Sequence, residues 1–138
     1  MYTVDVVTVV PATLERTWAA LCDIEHWPDW QPIRSVTVDG DGALGPRVEY
    51  TVHGRGIRDR YRVTEFDPLH RLTYEMVSGN LPLRHYRSEQ TLLAAGDASV
   101  VRSRTTFEPV VPGTGWLFER IIAVVFGRMG RGLARTLG

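Results

Sequence analysis

A carboxylate and a set of tyrosines are the residues of this sequence that could do chemistry together. Asp59 falls at an inward-facing position of a predicted strand, with Tyr61 and Ser78 expected beside it. Because burial raises the pKa of a carboxyl group, an inward Asp can act as a general base. We therefore predict Asp59 as a candidate catalytic base, with Tyr61 or Tyr86 as the proton-donating partner. The alternative is a hydrated Asp59 near the rim of the sheet.

The sequence does not indicate other kinds of catalytic or cofactor site. His26, His53, His70 and His85 are far apart and lack the spacing of metal ligands. No nucleophile elbow, phosphate-binding loop or dinucleotide-binding fingerprint occurs in the strand–turn–helix context that these motifs need. The single cysteine, Cys22, leaves no partner for an internal disulfide, and packing on a predicted helix is its expected role. We expect neither a metal nor a cofactor.

Length and charge limit the class of protein. With 138 residues and 43% hydrophobic content, residues 1–138 are expected to form one ligand-binding domain that is large enough to enclose a pocket. The formal net charge is zero, whereas a dedicated nucleic-acid-binding protein usually has a basic excess, so we expect no nucleic-acid partner. Met1 leads directly into a strand without a signal-peptide pattern, so we expect a cytoplasmic protein.

The spacing of apolar residues predicts the elements that position these side chains. Residues 2–10 are β-branched and nearly alternating, which is typical of a strand that Pro11 ends. A helix at 13–22 and a short helical turn at 24–30 follow. The pattern then changes to period two, with turn-rich separators such as residues 39–42, and short gaps make neighbouring strands antiparallel. Further strands are predicted at 33–39, 47–53, 57–66, 72–78, 83–93 and 100–108.

Residues 115–137 are predicted to form one long helix with an apolar stripe on one side. The helix is one-sided, so we expect no stable membrane insertion, and a curved sheet must cover the stripe. The opposite side carries Arg120, Ala123, Gly127, Arg131 and Ala134. The predicted fold class is α+β, a curved seven-stranded antiparallel sheet wrapped around this helix, with two short helices between strands 1 and 2. The stripe consists of Phe118, Ile122, Val125, Met129 and Leu133.

The exposed side of the long helix leaves two interpretations open. Leu117 and Val124 fall toward this side, which permits a homodimer. Arg128, Arg131 and Arg135 suit the negative end of the helix dipole, and contact with an anionic membrane is the sharper alternative.

Pairing across the predicted turns separates a charged face from a tyrosine face. A two-residue turn at 55–56 sets Glu49 against Arg62 and Tyr50 against Tyr61, and the last hairpin sets Tyr86 against Phe107. The strand arginines then lie beside acids on the solvent face, although a phosphate-binding surface is an alternative. These arginines are Arg58, Arg60, Arg62, Arg102 and Arg104.

The inner face carries hydroxyl and amide groups among apolar ones. A sealed core would prefer aliphatic residues, because a buried polar group without a partner costs about 1–3 kcal/mol. We therefore predict a partly hydrated cavity; the alternative is a solid core whose tyrosine hydroxyls reach helix or backbone partners. The predicted ligand-binding residues are Tyr50, Val52, Tyr61, Tyr74, Met76, Tyr86, Ser88, Gln90, Ser103, Thr105, Phe118, Ile122 and Val125.

Three connections, at 54–56, 79–82 and 109–115, are predicted to meet at one end of the sheet. They carry apolar residues that we expect to be exposed at the mouth of the cavity, namely Leu81, Pro82, Val111 and Trp116. Trp27 and Trp30 are expected to pack the small helices under the long one; a role as lid aromatics is the alternative.

Several runs of the sequence resemble one protein family. The chain is similar, over nearly its whole length, to the START-like polyketide cyclase/dehydrase and lipid-transport superfamily, also called SRPBCC, whose fold is the helix grip. The runs that carry the resemblance are VVPA at 9–12 with Trp18, Leu21 and Asp23, WPDWQP at 27–32, VTEFDP at 63–68 and RLTYE at 71–75.

The resemblance implies an internal site for an apolar molecule, with an entrance between loops and the long helix. The first hypothesis is binding or transport of a hydrophobic, lipid- or polyketide-like molecule. The second is a polyketide cyclase/dehydratase that uses Asp59 and the tyrosines, and the third is an interaction domain with a filled core. If a substrate is tethered to an acyl carrier protein, Arg55, Arg84 and Arg120 are the expected docking charges.

Overall fold

A seven-stranded antiparallel sheet in the order β1-β7-β6-β5-β4-β3-β2 forms the frame of the molecule. The structure, a computed structural model, describes residues 1–40 and 44–138. The elements are β1 (Tyr2–Val10), α1 (Leu14–Cys22), a 3-10 helix (Ile24–Asp29), β2 (Ser35–Val38), β3 (Glu49–Gly54), β4 (Ile57–Asp67), β5 (Arg71–Gly79), β6 (Leu83–Ala95), β7 (Ala98–Pro109) and α2 (Gly115–Leu137).

The predicted order of elements is confirmed. The bounds of β1 and α2 are those read from the sequence, and Thr13 caps α1 by accepting a hydrogen bond from the Arg16 N–H at 3.3 Å. The strand predicted at 33–39 is shorter, Ser35–Val38. Residues 41 and 42 of the turn predicted at 39–42 lie outside the described residues.

Two extra residues bend the middle of the sheet. Thr64 on β4 and Val77 on β5 each interrupt the register of the β4–β5 pair. Such bulges bend the bulged strand and strengthen the local twist, so they add to the curvature of the sheet. The predicted pairs Glu49–Arg62 and Tyr50–Tyr61 on the β3–β4 ladder are present.

The predicted Tyr86–Phe107 pair falls at a bulge. Arg84 pairs with Glu108 and Arg87 with Thr106, so two residues of β6, His85 and Tyr86, lie opposite Phe107 alone. His85 has a φ of 53°, in the left-handed region, which fits a bulge at this point. The bulge keeps the Tyr86 ring buried while the His85 side chain is exposed.

The buried side of α2 also differs from the predicted stripe. Phe126 is 5% exposed and lies at the centre of the buried side, whereas Val125 is 37% exposed and lies at its edge. Glycines fix this orientation, because a Cβ at Gly130 would lie 2.1 Å from Thr8 Oγ1 and one at Gly132 would lie 2.2 Å from the Trp30 carbonyl oxygen. The hydrophobic periodicity of the sequence does not report these close contacts of the helix backbone, so it did not predict the observed orientation of α2.

The strand arginines lie on the solvent face, as predicted, and several pair with acids. Glu49 accepts hydrogen bonds from Arg60 Nε at 2.9 Å and Arg62 Nε at 3.1 Å, and Arg102 pairs with Asp5 on β1. Because solvent screens exposed ion pairs, these pairs contribute little to the stability of the fold. They do show which face of the sheet is exposed to solvent.

Candidate functional site

Aromatic rings cover the concave side of the sheet where it faces α2. Tyr61 is central, with its ring centroid 5.6 Å from that of Tyr50, 5.4 Å from Tyr74 and 5.9 Å from Tyr86. Trp27, from the 3-10 helix, meets Tyr50 edge to face at 5.3 Å. These spacings are those of attractive aromatic pairs, so the tyrosines form one packed wall.

Burial controls the ionisation of the tyrosine hydroxyls in this wall. It raises the pKa of Tyr50, Tyr61 and Tyr86 well above the usual value, because the phenolate form would lose its hydration. The hydroxyls are therefore protonated and can donate hydrogen bonds at neutral pH.

The polar residues of β6 and β7 hydrogen-bond to one another across the inner face. Ser103 donates to Gln90 Oε1, Gln90 Nε2 donates to Ser88 Oγ at 3.1 Å, and the Ser88 and Thr105 hydroxyls lie 3.0 Å apart. All four residues are buried. Sequence reasoning took these groups as a sign of hydration, but the register of the β6–β7 pair lets them satisfy one another without a large water-filled space.

A cavity lies between this polar ladder, α2 and the 3-10 helix. Its volume is about 40 Å³, room for on the order of three water molecules. Gln90 and Ser103 present polar groups to a wall that is otherwise mainly apolar. The lining residues are Thr8, Leu21, Trp27, Trp30, Gln31, Leu72, Tyr74, Gln90, Val101, Ser103, Phe126, Met129, Gly130 and Leu133.

Three of the predicted ligand-binding residues line this cavity, namely Tyr74, Gln90 and Ser103. The remaining predicted residues lie outside its lining, on strands β3 to β7 or along α2; they are Tyr50, Val52, Tyr61, Met76, Tyr86, Ser88, Thr105, Phe118, Ile122 and Val125. The Tyr61 ring contacts the Tyr74 ring edge to face at 5.4 Å, so Tyr74 links the cavity lining to the rest of the tyrosine wall.

Sequence reasoning missed most of the wall contributed by the helices. Trp27 and Trp30 are buried, which confirms the packing role predicted for them, and they also line the cavity. Met129 and Leu133 were in the predicted stripe and could have been included. The contribution of Leu21 and Trp30 depends on how the small helices sit on the sheet, for which the sequence has no periodic signal.

Asp59 is a buried carboxyl group with an incomplete set of hydrogen bonds. The residue is 2% exposed, and its Oδ1 has no hydrogen-bond partner among the described residues. Burial raises the pKa of Asp59 above its ordinary value, while the nearby Asn80 backbone N–H and Tyr61 hydroxyl oppose part of that rise. Oδ1 packs against Gly79, where an added Cβ would lie 2.2 Å away. Asp59 is therefore held between Gly79 and Tyr61, outside the cavity lining.

The three loops predicted to meet at one end of the sheet do so. Asn80 Nδ2 donates to the Gly56 carbonyl at 2.7 Å, and the Val110 N–H donates to the Pro82 carbonyl at 3.0 Å. Leu81 borders a surface groove of about 270 Å³ together with Met76 and Tyr86.

The other residues predicted for the mouth lie outside both the groove and the cavity. Pro82, Val111 and Trp116 are exposed. Whether any of these loops admits a ligand remains a prediction.

The described residues contain neither a membrane-spanning helix nor a cluster of metal-ligating side chains. No helix in the described part of the chain is both long and apolar enough to cross a bilayer. Within residues 1–40 and 44–138, no group of three or more His, Cys, Asp or Glu side chains is placed to hold a metal ion.

The architecture defines a class, the helix-grip proteins, in which a curved antiparallel sheet holds a long C-terminal helix. The model of the family described as "Polyketide cyclase / dehydrase and lipid transport" matches residues 1–137. The chain therefore belongs to that family. A comparison with curated proteins found no match.

Solved structures share the fold at low sequence identity. A START superfamily protein from Mycobacterium smegmatis is 14% identical with a TM-score of 0.86, over 99% of this chain and 97% of that one. The protein XoxI from Bacillus cereus is 18% identical with a TM-score of 0.86, over 99% and 96%. BexL, a di-domain ARO/CYC protein from the BE-7585A biosynthetic pathway, is 14% identical with a TM-score of 0.81, over 98% of this chain and 46% of BexL.

Proposed function

We propose that this protein binds and carries a hydrophobic small molecule, lipid- or polyketide-like, between the sheet and α2. The observation that supports this most directly is the composition of the cavity wall, apolar except for a few polar groups at fixed positions. The Ser103 hydroxyl already donates a hydrogen bond to Gln90 Oε1. The two side chains therefore have little hydrogen-bonding capacity left, enough to bind one oxygen atom of a ligand. Family membership supports the same general role.

The size of the cavity sets a condition on binding. Pockets for drug-sized ligands are about 300–1,000 Å³, far larger than the 40 Å³ described here. A lipid-like ligand therefore has to displace part of the wall. The C-terminal half of α2 forms one wall of the cavity through Phe126, Met129 and Leu133, so it is the segment that we expect to move.

Contact quenching by a brominated fatty acid tests the proposal. In a Trp116→Phe variant, which lacks the exposed tryptophan, the acid should quench Trp27 and Trp30 saturably at one equivalent, and the unbrominated acid should reverse the effect. Native mass spectrometry of freshly purified protein should retain a ligand of the same class.

A pair of conservative variants controls for general effects. Val101→Ile adds a methylene to the cavity wall and should weaken binding, whereas Val6→Ile adds the same group outside the lining and should not. Absence of saturable quenching, together with no retained ligand, would contradict the proposal and favour an interaction domain with a filled core.

A second candidate function is cyclisation and dehydration of a polyketide-like chain. The observation that favours it is Asp59 Oδ1, which has no hydrogen-bond partner among residues 1–40 and 44–138. Asp59 lies beside Tyr61, and burial raises the pKa of its carboxyl group, which makes it a stronger base than an exposed carboxylate. The fold shared with BexL is compatible with this chemistry but does not establish it. A substrate would have to reach past Tyr74 to meet these groups.

The second candidate is tested with a synthetic poly-β-ketone thioester. The protein should accelerate ring closure and loss of water, and Asp59→Asn should remove the acceleration while Asp67→Asn, an exposed control at the far end of β4, keeps it. If the substrate arrives on an acyl carrier protein, charge reversal at Arg55, Arg84 or Arg120, all exposed, should lower the rate with carrier-bound substrate only. Unchanged turnover in Asp59→Asn would rule out the catalytic role.

A further inference from the structure

The outward side of α2 exposes apolar side chains along its N-terminal half. Leu117, Ile121 and Val124 follow an i, i+4, i+7 spacing that places them on one side of the helix, and they are 41%, 44% and 54% exposed. Trp116 beside them is 59% exposed, and Val111 in the preceding loop is 51% exposed. A helix that faced only water would carry polar residues on this side, so the patch marks a contact surface.

The C-terminal half of the same side is cationic. Arg128, Arg131 and Arg135 are exposed there, and Arg120 lies between the apolar residues. Among the described residues, none of these four arginines forms an ion pair. The single acid of α2, Glu119, points toward the opposite side of the helical wheel. The surface therefore combines exposed apolar groups with uncompensated positive charge.

One acid from another element lies near the arginines. Asp29, at the end of the 3-10 helix, shares a surface groove of about 300 Å³ with Arg128, Arg131 and Arg135. One carboxylate beside three guanidinium groups leaves the groove net positive. Its partner should therefore be anionic.

A second copy of the chain fits this surface poorly. Antiparallel pairing over the whole helix would lay the arginines of one copy against the apolar half of the other, and parallel pairing would set arginine against arginine. Pairing through the apolar half alone would bury one side of only about two helical turns. The area of such a contact is well below the roughly 800 Å² that each partner buries in a standard interface. A homodimer through α2 is thus disfavoured by charge and by area.

An anionic bilayer fits both parts of the surface. Apolar side chains at the level of the lipid headgroups gain from leaving water, a tryptophan is favoured in that zone, and arginines bind phosphate oxygens. We propose that the outward side of α2, with Leu117, Ile121, Val124 and Trp116, docks reversibly on the surface of an anionic phospholipid bilayer. The opposite side of the same helix lines the cavity through Phe126, so one element faces both bilayer and cavity. The docking proposal does not depend on which ligand the cavity takes.

Cosedimentation with vesicles tests the proposal on the full chain. The protein should bind vesicles of phosphatidylglycerol and phosphatidylcholine in equal parts, bind vesicles of phosphatidylcholine alone much more weakly, and dissociate at high salt. Trp116 emission should shift to shorter wavelength on binding. Because each arginine near an anionic surface contributes about 1 kcal/mol, Arg128→Gln with Arg131→Gln should weaken binding about thirtyfold.

Apolar variants separate a bilayer from other partners. Leu117→Ser with Val124→Ser should weaken vesicle binding, whereas Leu93→Ser, which removes a 68% exposed leucine from the outer face of β6, should not. All of these side chains are exposed, and circular dichroism will verify that the variants fold.

Three outcomes would overturn the proposal. The first is no binding to anionic vesicles. The second is binding that the arginine variant loses but the Leu117/Val124 variant keeps, which would indicate a purely electrostatic contact such as an acidic protein surface. The third is a dimer in sedimentation analysis that Val124→Ser dissociates, which would assign the patch to a second copy.

Discussion

The close contact between α2 and the 3-10 helix predicts that replacing glycine by alanine stabilises the protein at Gly127 but not at Gly132. An alanine Cβ at Gly132 would lie 2.2 Å from the carbonyl oxygen of Trp30, a backbone atom that cannot move without shifting the 3-10 helix. An alanine Cβ at Gly127 would have, as its nearest neighbour, the guanidinium of Arg131 at 3.3 Å, the mobile end of an exposed side chain.

The two variants should differ by the cost of overpacking. In a helix interior Ala is favoured over Gly by about 1 kcal/mol, and this gain applies to both. Forcing an extra methyl group into a packed contact costs about 1–3 kcal/mol, and this cost applies only to Gly132→Ala. Gly127→Ala should therefore stabilise the protein by about 1 kcal/mol, while Gly132→Ala should be about 1–3 kcal/mol less stable than Gly127→Ala.

Urea and thermal unfolding of the two variants measure the difference. For a domain of this size, 1 kcal/mol corresponds to about 2–4 °C in Tm. Because Leu133 lines the cavity and follows Gly132 directly, Gly132→Ala should also change binding of the brominated fatty acid. Equal stability of the two variants would refute the close contact between α2 and Trp30, and with it the account of why α2 presents Phe126 to the sheet.

Three further predictions address buried groups. The Thr17 and Ser99 hydroxyls are fully buried and 2.6 Å apart, so Thr17→Val should cost about 1–3 kcal/mol in urea unfolding, and Thr17→Val with Ser99→Ala should recover part of it. Because burial raises the pKa of Asp59, the folded state keeps a proton on this group at pH values where the unfolded chain has released it. The free energy of unfolding should therefore fall as pH rises from 3.8 through the folded-state pKa, and Asp59→Asn should remove that fall. Asp5→Asn is the control of opposite sign, because hydrogen bonding to Arg102 lowers the pKa of Asp5, and its stabilising effect is lost as pH falls. Burial raises the pKa of Cys22 to about 11, so at pH 8 it should react with a disulfide reagent on the order of a hundredfold more slowly than an exposed thiol does; a rate equal to that of the unfolded chain would contradict its burial.

Local sequence patterns were sufficient for the fold because strands and helices have different hydrophobic periods. The near-alternation of residues 2–10 and the one-sided pattern of residues 115–137 each located an element with the bounds that the structure has. Turn lengths then set the Glu49–Arg62 register, since a shift of one residue would have reversed every side chain on the strand.

Register was predictable only where no extra residue intervened. The bulge at His85 and Tyr86 contains no glycine that would mark it in the sequence, so the prediction paired Tyr86 with Phe107 without the extra residue His85. The rotation of α2 likewise depended on Gly130 and Gly132 meeting Thr8 and Trp30, residues distant in sequence.

The sequence by itself determined which residues share the inner face, because alternation along a strand is a local property. Only the tertiary structure decided what that face encloses. Gln90 and Ser103 satisfy each other because β6 and β7 pair in one register, and the tyrosines fill space because four strands bring their rings within contact distance. The volume of the cavity depends on how α2 and the 3-10 helix pack against the sheet. Contacts between elements so far apart in the chain produce no periodic pattern in the sequence, so they could not be predicted from it.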